Sequence, residues 1–350
     1  MKKFKFTANL KDVGKKELSL AGGKGANLGE MIKAGLPVPE GFVLLTSSYR
    51  RFVKENKLEE EIDGLLNSLD ESDLSSLKQV CDKIHRLFEK GDIPEEISQE
   101  IDRAYREIGN YQVVVRSSAT AEDLPGTSFA GQYDTYLNVS GREELYKYIK
   151  KCWASLWNSR ALSYRLKHNM GNNDLAHGVV VQKLINATKS GILFTANPVN
   201  GRRDQMLLNS SWGLGEAIVG GEVTPDQWVL DRKNAAIAEE NIAKKEIMTV
   251  RKDRGIENKP VPGERQLKAT LSSDEVKELF DLGEKVEKYF GFPQDIEWAF
   301  ADGRMFLVQS RPITSLFPMP EPADDDDRLR IYLNMSLYSQ ALHEHFTPIG

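Results

Sequence analysis

The sequence predicts an α+β protein built of two lobes, because two parts of the chain differ in their patterns. Residues 48–108 are acidic and mostly helical in pattern. After residue 178, short β-branched runs alternate with Gly and Pro turns, which is typical of strands. A chain of 350 residues has enough apolar material for two moderate cores. We therefore predict a first lobe over residues 1–180 and a second over residues 181–314.

The elements of the first lobe follow from apolar periodicity and from turn signals. A helix begins near Lys24, and Gly35-Leu36-Pro37 is a good stop signal for it. The predicted strands are at 4–6, 41–45, 113–115 and 133–139, and the predicted helical stretches are at 24–34, 48–108 and 142–167.

The second lobe is predicted to be rich in strands. These strands are at 178–184, 191–195, 205–209 and 227–230, and they precede a helix at 273–290 and a hairpin with arms at 295–300 and 305–311. PMPEPADDDD then carries three prolines and four consecutive aspartates, which cannot pack. We predict a linker over residues 315–327, followed at 328–350 by the opening of a further domain.

Composition excludes several classes of function. The net charge of -5 gives no electrostatic reason to expect a nucleic-acid partner. The two cysteines, Cys81 and Cys152, lack the paired spacing of a metal site or a disulfide framework. The N-terminus has no apolar signal segment, and no apolar run is long enough to cross a bilayer. We expect a cytoplasmic protein with no membrane partner.

The stretch AGGKGANLGEM, residues 21–31, places three glycines and Lys24 at the start of a helix. Backbone N–H groups at a helix N-terminus, together with one ammonium group, suit a polyanion. The spacing is that of neither a Walker A loop nor a dinucleotide-binding fingerprint. A flexible turn with a solvated lysine is an equally good interpretation of this stretch alone.

The stretch RSSATAEDLPGTSFAGQ, residues 116–132, follows an apolar strand. Arg116 ends that strand, where its planar guanidinium can be held rigidly against a phosphate. The hydroxyl groups offer donors, and Gly126 and Gly131 let the backbone approach a ligand closely. The alternative is a hydroxyl-rich surface turn, but two glycine-bearing loops with basic residues favour phosphate.

The hairpin QDIEWAFADGRMFLVQSRP, residues 294–312, brings a third group of polar residues together. We expect a three-residue loop of Ala301, Asp302 and Gly303, which places Glu297, Gln309 and Arg311 on one face. The other face, which points into the core, is then that of Ile296, Trp298, Phe306 and Val308.

A carboxylate beside an amide oxygen forms a hard-oxygen site for Mg²⁺, which also borrows phosphate oxygens. Glu297 and Gln309 are therefore candidate metal ligands, and Arg311 is a candidate phosphate contact. The alternative is a half-exposed hairpin with an ordinary Glu–Arg pair.

Two further stretches have less specific patterns. Gln182 closes an apolar strand, where it is either an adenine contact or a plain strand end. The stretch SWGLGEAIVGG, residues 211–221, carries Glu216 in a glycine loop that either closes over a ribose or simply turns the chain.

Taken together, GGKGANLGEM, VVVRSSATAEDLPGTSFAGQYDTYLN, VVVQKLI with SGILFTANP, SWGLGEAIVGGEVTPD and QDIEWAFADGRMFLVQSRPIT occur in a specific order. That order resembles the nucleotide-binding part of the phosphoenolpyruvate synthase and pyruvate phosphate dikinase family, which includes rifampin phosphotransferase, over residues 1–314. The resemblance implies a two-lobed ATP-grasp fold with ATP and Mg²⁺ between the lobes. It implies that the phosphates contact Lys24 and Arg116, the covering loop contains Gly131 and Thr135, adenine faces Gln182, and Mg²⁺ is held by Glu297 and Gln309 beside Arg311.

The resemblance also implies the chemistry. In this family the β-phosphate of ATP passes to a histidine on a separate swivelling domain, giving AMP and phosphate, and then to pyruvate or a rifamycin. None of the five histidines here has the small-residue setting that the family uses, so the swivelling domain is expected elsewhere. The tail at 328–350 loosely resembles the start of the extra domain of rifampin phosphotransferases. The alternative is a nucleotide-binding regulatory or scaffold protein; a ligase would need an acceptor site that the sequence lacks.

Overall fold

The computed structural model describes residues 4–70, 73–119, 134–167 and 176–316. These residues belong to one unit of the chain, Met1–Leu316, and the second unit, Phe317–Gly350, lies outside them. Nearly all of the predicted linker at 315–327 and all of the predicted segment at 328–350 therefore fall outside the described residues. Within the described residues, no helix has the length and apolar character needed to cross a membrane.

A five-stranded antiparallel sheet forms the first lobe. Its strands are β1 (Thr7–Asn9), β2 (Gly41–Leu44), β3 (Val113–Ala119), β4 (Thr135–Val139) and β5 (His177–Lys183), in the spatial order β1-β2-β5-β3-β4. The helices are α1 (Leu18–Lys33), α2 (Thr46–Glu55), α3 (Leu58–Asn67), α4 (Leu74–Lys90), α5 (Glu95–Glu107), α6 (Arg142–Ala154) and α7 (Ser159–Lys167). The helical stretch predicted at 48–108 is confirmed as α2 to α5.

A six-stranded antiparallel sheet forms the second lobe. Its strands are β6 (Lys189–Phe194), β7 (Gln205–Trp212), β8 (Asp226–Asp231), β9 (Ile237–Asn241), β12 (Gln294–Ala301) and β13 (Arg304–Pro312), in the spatial order β13-β12-β6-β7-β8-β9. A separate hairpin, β10 (Ile247–Arg251) and β11 (Ile256–Pro260), was not predicted. The helices are α8 (Glu216–Val219), α9 (Gly263–Gln266) and α10 (Ser273–Phe290).

The α+β class with two sheet-based lobes is thus confirmed, and the differences from prediction are local. The first strand begins at Thr7 rather than at residue 4. The helix predicted at 142–167 is interrupted by a 3-10 turn at Ser155–Trp157. The sheets change over between Lys183 and Lys189, so residue 180 lies inside β5 rather than between the lobes.

Helix α10 has the predicted bounds because both of its ends are marked locally. Ser272 and Glu275 form a capping box, in which the Glu275 carboxylate accepts from the Ser272 N–H at 2.8 Å. Gly291 ends the helix in the left-handed conformation at φ 84°.

Helix α1 joins the two lobes through a shared core. Leu28 and Met31 of α1 are buried in the same apolar cluster as Leu193 of β6 and Trp298 of β12. A second cluster lies within the first lobe, between its sheet and helices α2 to α6. Since α1 belongs to both lobes by packing, burial of its apolar side chains helps to hold the sheets together.

The loop of the β12–β13 hairpin was predicted wrongly. Ala301 pairs with Arg304, so the loop has the two residues Asp302 and Gly303, with φ of 51° and 73°. Positive φ at both positions is the type I′ turn that Asp-Gly favours, because its twist matches that of the strands. The expected three-residue loop is therefore corrected to two residues.

A bulge nevertheless keeps the predicted neighbours together. With the two-residue turn alone, Glu297 would lie opposite Val308. Glu297 pairs with Gln309 while Trp298 pairs with Leu307, so Val308 is the extra residue of a bulge. This register buries Met305 and Leu307, and Phe306 and Val308, which were predicted in the core, are only partly buried.

Candidate functional site

A cavity of about 540 Å³ lies between the two sheets, a volume in the range of small-molecule sites. Its wall is formed by residues of β3, β4 and β5 on one side and of β6, β12 and β13 on the other. Among the described residues, its charged lining consists of Lys24, Arg116, Lys183, Arg311, Asp134, Glu216 and Glu297.

Lys24 reaches the cavity from a glycine turn inside α1. Gly22 has φ 72° and ψ 171°, which interrupts the helix two residues before Lys24. Ser118, near the end of β3, holds this turn by two hydrogen bonds. Its hydroxyl donates to the Ala21 carbonyl at 2.7 Å and accepts from the Gly25 N–H at 3.0 Å. The two predicted phosphate loops are therefore neighbours in the fold, although 93 residues separate Gly25 from Ser118.

We expect Gly22→Ala to destabilise the protein by more than 2 kcal/mol, about the sum of a left-handed penalty and a steric clash. A Cβ at Gly22 would lie 1.9 Å from the Ser118 carbonyl oxygen. Gly35→Ala is the matched control, since Gly35 has φ +71° but nothing within 4 Å of a Cβ. Urea unfolding of both variants measures the difference, and equal losses would contradict the close approach.

Arg116 of β3 reaches across the cavity to the second sheet. Its guanidinium donates to the Val308 carbonyl at 3.0 Å and to Glu297 Oε2 at 3.3 Å. The side chains of Arg116 and Glu297 are only 13% and 20% exposed, so water screens this pair less than it screens a surface pair. Thr135 lies directly opposite Arg116 on β4, at the cavity wall.

The β12–β13 hairpin supplies the other polar groups. Glu297 and Gln309 are neighbours across the ladder, and both line the cavity. Arg311 pairs with Asp295, whose Oδ2 accepts from Arg311 Nε at 2.8 Å. Burial raises the pKa of Asp295, and the nearby Arg311 opposes that rise.

Asp295 was not among the predicted site residues. The sequence does indicate its position, because Asp295 precedes Glu297 by two residues and therefore lies on the same face of the strand. The structure thus has two Glu/Asp–Arg pairs instead of the single one considered: Asp295 with Arg311, and Glu297 with Arg116.

The opposite part of the cavity is apolar. Val114, Leu184 and Leu214 form a buried cluster that also contacts Ile256 of β11. Gln182 lines the cavity but is 2% exposed, and its Nε2 donates to the Pro39 carbonyl at 3.2 Å. Contact of Gln182 with adenine stays a prediction.

Part of the predicted phosphate-binding loop falls outside the described residues. Gly131 and most of the loop at 116–132 lie outside the described residues, as do His168, His343 and His345. Of the other histidines, His177 is fully buried at the start of β5, and its burial, with Lys24 and Arg165 nearby, lowers its pKa to about 3. A buried neutral histidine of this kind is not accessible to a phosphate donor.

The donor set available for a metal ion is small. Across the described ranges, no group of three or more His, Cys, Asp or Glu side chains is arranged to hold a metal. Glu297 and Gln309 offer one carboxylate and one amide oxygen side by side. Two such hard oxygens fit Mg²⁺, which keeps several waters and takes phosphate oxygens as further ligands.

A two-lobed α+β fold, with cations at one end of the cavity and an apolar cluster at the other, fits a nucleotide-binding domain. Residues 18–329 match the family model described as "Pyruvate phosphate dikinase, AMP/ATP-binding domain". The chain belongs to this family, which confirms the predicted resemblance and carries with it the implied ATP-grasp fold.

Curated relatives agree with this membership. The chain is 44% identical to a probable phosphoenolpyruvate synthase of Methanocaldococcus jannaschii, over 89% of this chain and 27% of the relative. It is 40% identical to a probable phosphoenolpyruvate synthase of Methanothermobacter thermautotrophicus, over 93% of this chain and 48% of the relative. It is 39% identical to a rifampicin phosphotransferase of a Streptomyces species, over 99% of this chain and 40% of the relative. The chain thus spans between about a quarter and a half of these relatives.

Proposed function

We propose that this chain is the ATP-binding part of a dikinase-type phosphotransferase. It would pass the β-phosphate of ATP to a histidine on a separate swivelling domain, giving AMP and phosphate. The observation that carries the proposal is the meeting of Lys24, Arg116, Arg311, Glu297 and Gln309 around one cavity. These residues come from distant parts of the chain, and each was a candidate for phosphate or metal from its own local pattern.

At the charged end, Lys24, Arg116 and Arg311 would bind the triphosphate. Arg311 is oriented by Asp295 and Arg116 by Glu297 and the Val308 carbonyl, so both guanidinium groups are held in position before the ligand arrives. Positioning and charge stabilisation supply most of the rate enhancement in phosphoryl transfer, since little covalent chemistry falls to the protein.

Glu297 and Gln309 would hold Mg²⁺. The ion would supply charge neutralisation at the transferring phosphate. Arg116 donates to one oxygen of Glu297. A metal ion bound by Glu297 would therefore share the carboxylate with Arg116 or replace this hydrogen bond.

At the apolar end, the adenine ring would pack between Val114, Leu184 and Leu214. Gln182 and the strand end after it would line the edge of the base, and Thr135 and Gly131 would belong to the segment that covers the phosphates. The order of base, sugar and phosphates in ATP matches the order of apolar and charged surfaces in the cavity.

The final acceptor is pyruvate or a rifamycin, and the names of the relatives support both. They favour phosphotransfer over a regulatory or scaffold role. The phosphorylated histidine is expected on another domain, in the parent chain or in trans. A cytoplasmic location stays a prediction from the sequence.

Calorimetric titration of ATP, with and without Mg²⁺, tests the proposal. We expect Mg²⁺-dependent binding in the micromolar range, about -8 kcal/mol, that is lost in Glu297→Ala. Glu264→Ala, a change of an exposed glutamate outside the cavity, is the control and should bind as the parent protein does. Absence of ATP binding, or binding that Glu297→Ala leaves intact, would contradict the proposed site.

A further inference from the structure

Three carboxylates line the described part of the cavity, and two of them have protein partners. Glu297 pairs with Arg116, and Asp134 accepts the Tyr136 hydroxyl at 2.6 Å. For Glu216, no side-chain hydrogen bond or ion pair is found among the described residues. Its side chain is exposed, as expected for a group that faces the open space of a cavity.

Glu216 lies between the two ends of the cavity. Leu214, two residues earlier, belongs to the apolar cluster with Val114 and Leu184. Protein around Glu216 raises its pKa by desolvation, and the charges that act on it include Arg116 and Glu297 of the other end. A nucleotide that places its base on the apolar cluster and its phosphates on the cations therefore has its sugar beside Glu216.

We propose that the Glu216 carboxylate binds the ribose hydroxyl groups of the nucleotide and makes the site selective for ribonucleotides over 2′-deoxyribonucleotides. This inference rests on the proposed function. A carboxylate accepts hydrogen bonds from two neighbouring hydroxyl groups, as acidic residues do with ribose in dinucleotide-binding folds. Direct contact with the phosphates is unfavourable for the same group, because like charges repel.

The segment around α8, whose first residue is Glu216, is held in place by the β10–β11 hairpin. The Leu214 N–H donates to the Thr249 carbonyl of β10 at 2.8 Å, and Asn258 of β11 donates to Glu222 at 2.7 Å. The tip of the β10–β11 hairpin is fixed in turn, since Asn138 Nδ2 donates to carbonyls of Lys252 and Gly255 at 2.7 and 2.8 Å. These contacts connect the start of α8, through the β10–β11 hairpin, to β4 of the first lobe, and so they fix the backbone near Glu216 before binding.

The experiment compares affinities for Mg²⁺-ATP and Mg²⁺-2′-deoxyATP by calorimetry in the unchanged chain, in Glu216→Ala and in Glu264→Ala. We expect the unchanged chain to bind ATP at least about tenfold more tightly, as a hydrogen bond to a charged group provides. Glu216→Ala should lower this ratio to near one, mainly by weakening ATP. Glu264→Ala is the control, because Glu264 is exposed and lies outside the cavity wall, and it should keep the ratio.

The outcomes separate this inference from the proposed function. A ratio that persists in Glu216→Ala, with ATP still bound, overturns the ribose contact alone. Equal weakening of both nucleotides together with a changed Mg²⁺ dependence assigns Glu216 to the metal and also overturns it. Failure of the unchanged chain to bind either nucleotide overturns the proposed function and the inference together.

Discussion

Arg116→Ala is expected to weaken Mg²⁺-ATP binding about 100-fold, the effect of removing one partner from a poorly solvated charge pair. The loss has two sources. The triphosphate loses a planar two-point donor, and Glu297 keeps its negative charge without the guanidinium that now lies 3.3 Å away. Arg116→Lys restores the charge but not the fork, so an intermediate affinity is expected.

Calorimetric titration of both variants checks this expectation. Arg202→Ala is the control, since Arg202 makes an exposed pair with Asp204 and does not line the cavity. Its ATP affinity should equal that of the unchanged chain. A decrease of less than about threefold in Arg116→Ala, with the fold intact by circular dichroism, would mean that Arg116 serves only to join the lobes.

Lys245→Met is expected to lower the free energy of unfolding by about 3–5 kcal/mol, the usual result of breaking a buried ion pair. Lys245 and Asp226 are both fully buried and in direct contact. Asp226 also accepts from the Ala243 N–H at 3.0 Å and from the N–H and hydroxyl of Thr270 at 2.8 Å. Loss of the ammonium group would leave a buried anion that three weaker donors cannot neutralise.

The neighbouring residue provides the control. Lys244 pairs with Glu246, and their side chains are 57% and 67% exposed. Lys244→Met should therefore change the free energy of unfolding by less than about 1 kcal/mol. Urea unfolding of the two variants gives the comparison, and a loss below about 1 kcal/mol in Lys245→Met would contradict the role given to the buried pair.

In the β12–β13 hairpin, the predicted pairing of Glu297 with Gln309 is confirmed, but the loop length from which it was predicted is wrong. Asp-Gly favours a two-residue turn, whereas the predicted three-residue loop is the one that would bring Glu297 beside Gln309 without a bulge. The structure has the two-residue turn and restores the pairing by a bulge at Val308. No local signal marks this bulge, because it depends on which side chains the core accepts.

Sequence alone determined the features whose causes are local. Helix α10 follows from its capping box and its terminal glycine, and the α+β class follows from the change between helical and strand periodicity. The phosphate and metal candidates followed from residue chemistry at strand and helix ends. The tertiary structure decided which of these residues meet. Arg116 and Glu297 are 181 residues apart, and Gly25 and Ser118 are 93 apart. Contacts over such separations depend on the packing of both sheets against α1. A local sequence pattern does not specify this packing, because the residues that pack together are far apart in the chain.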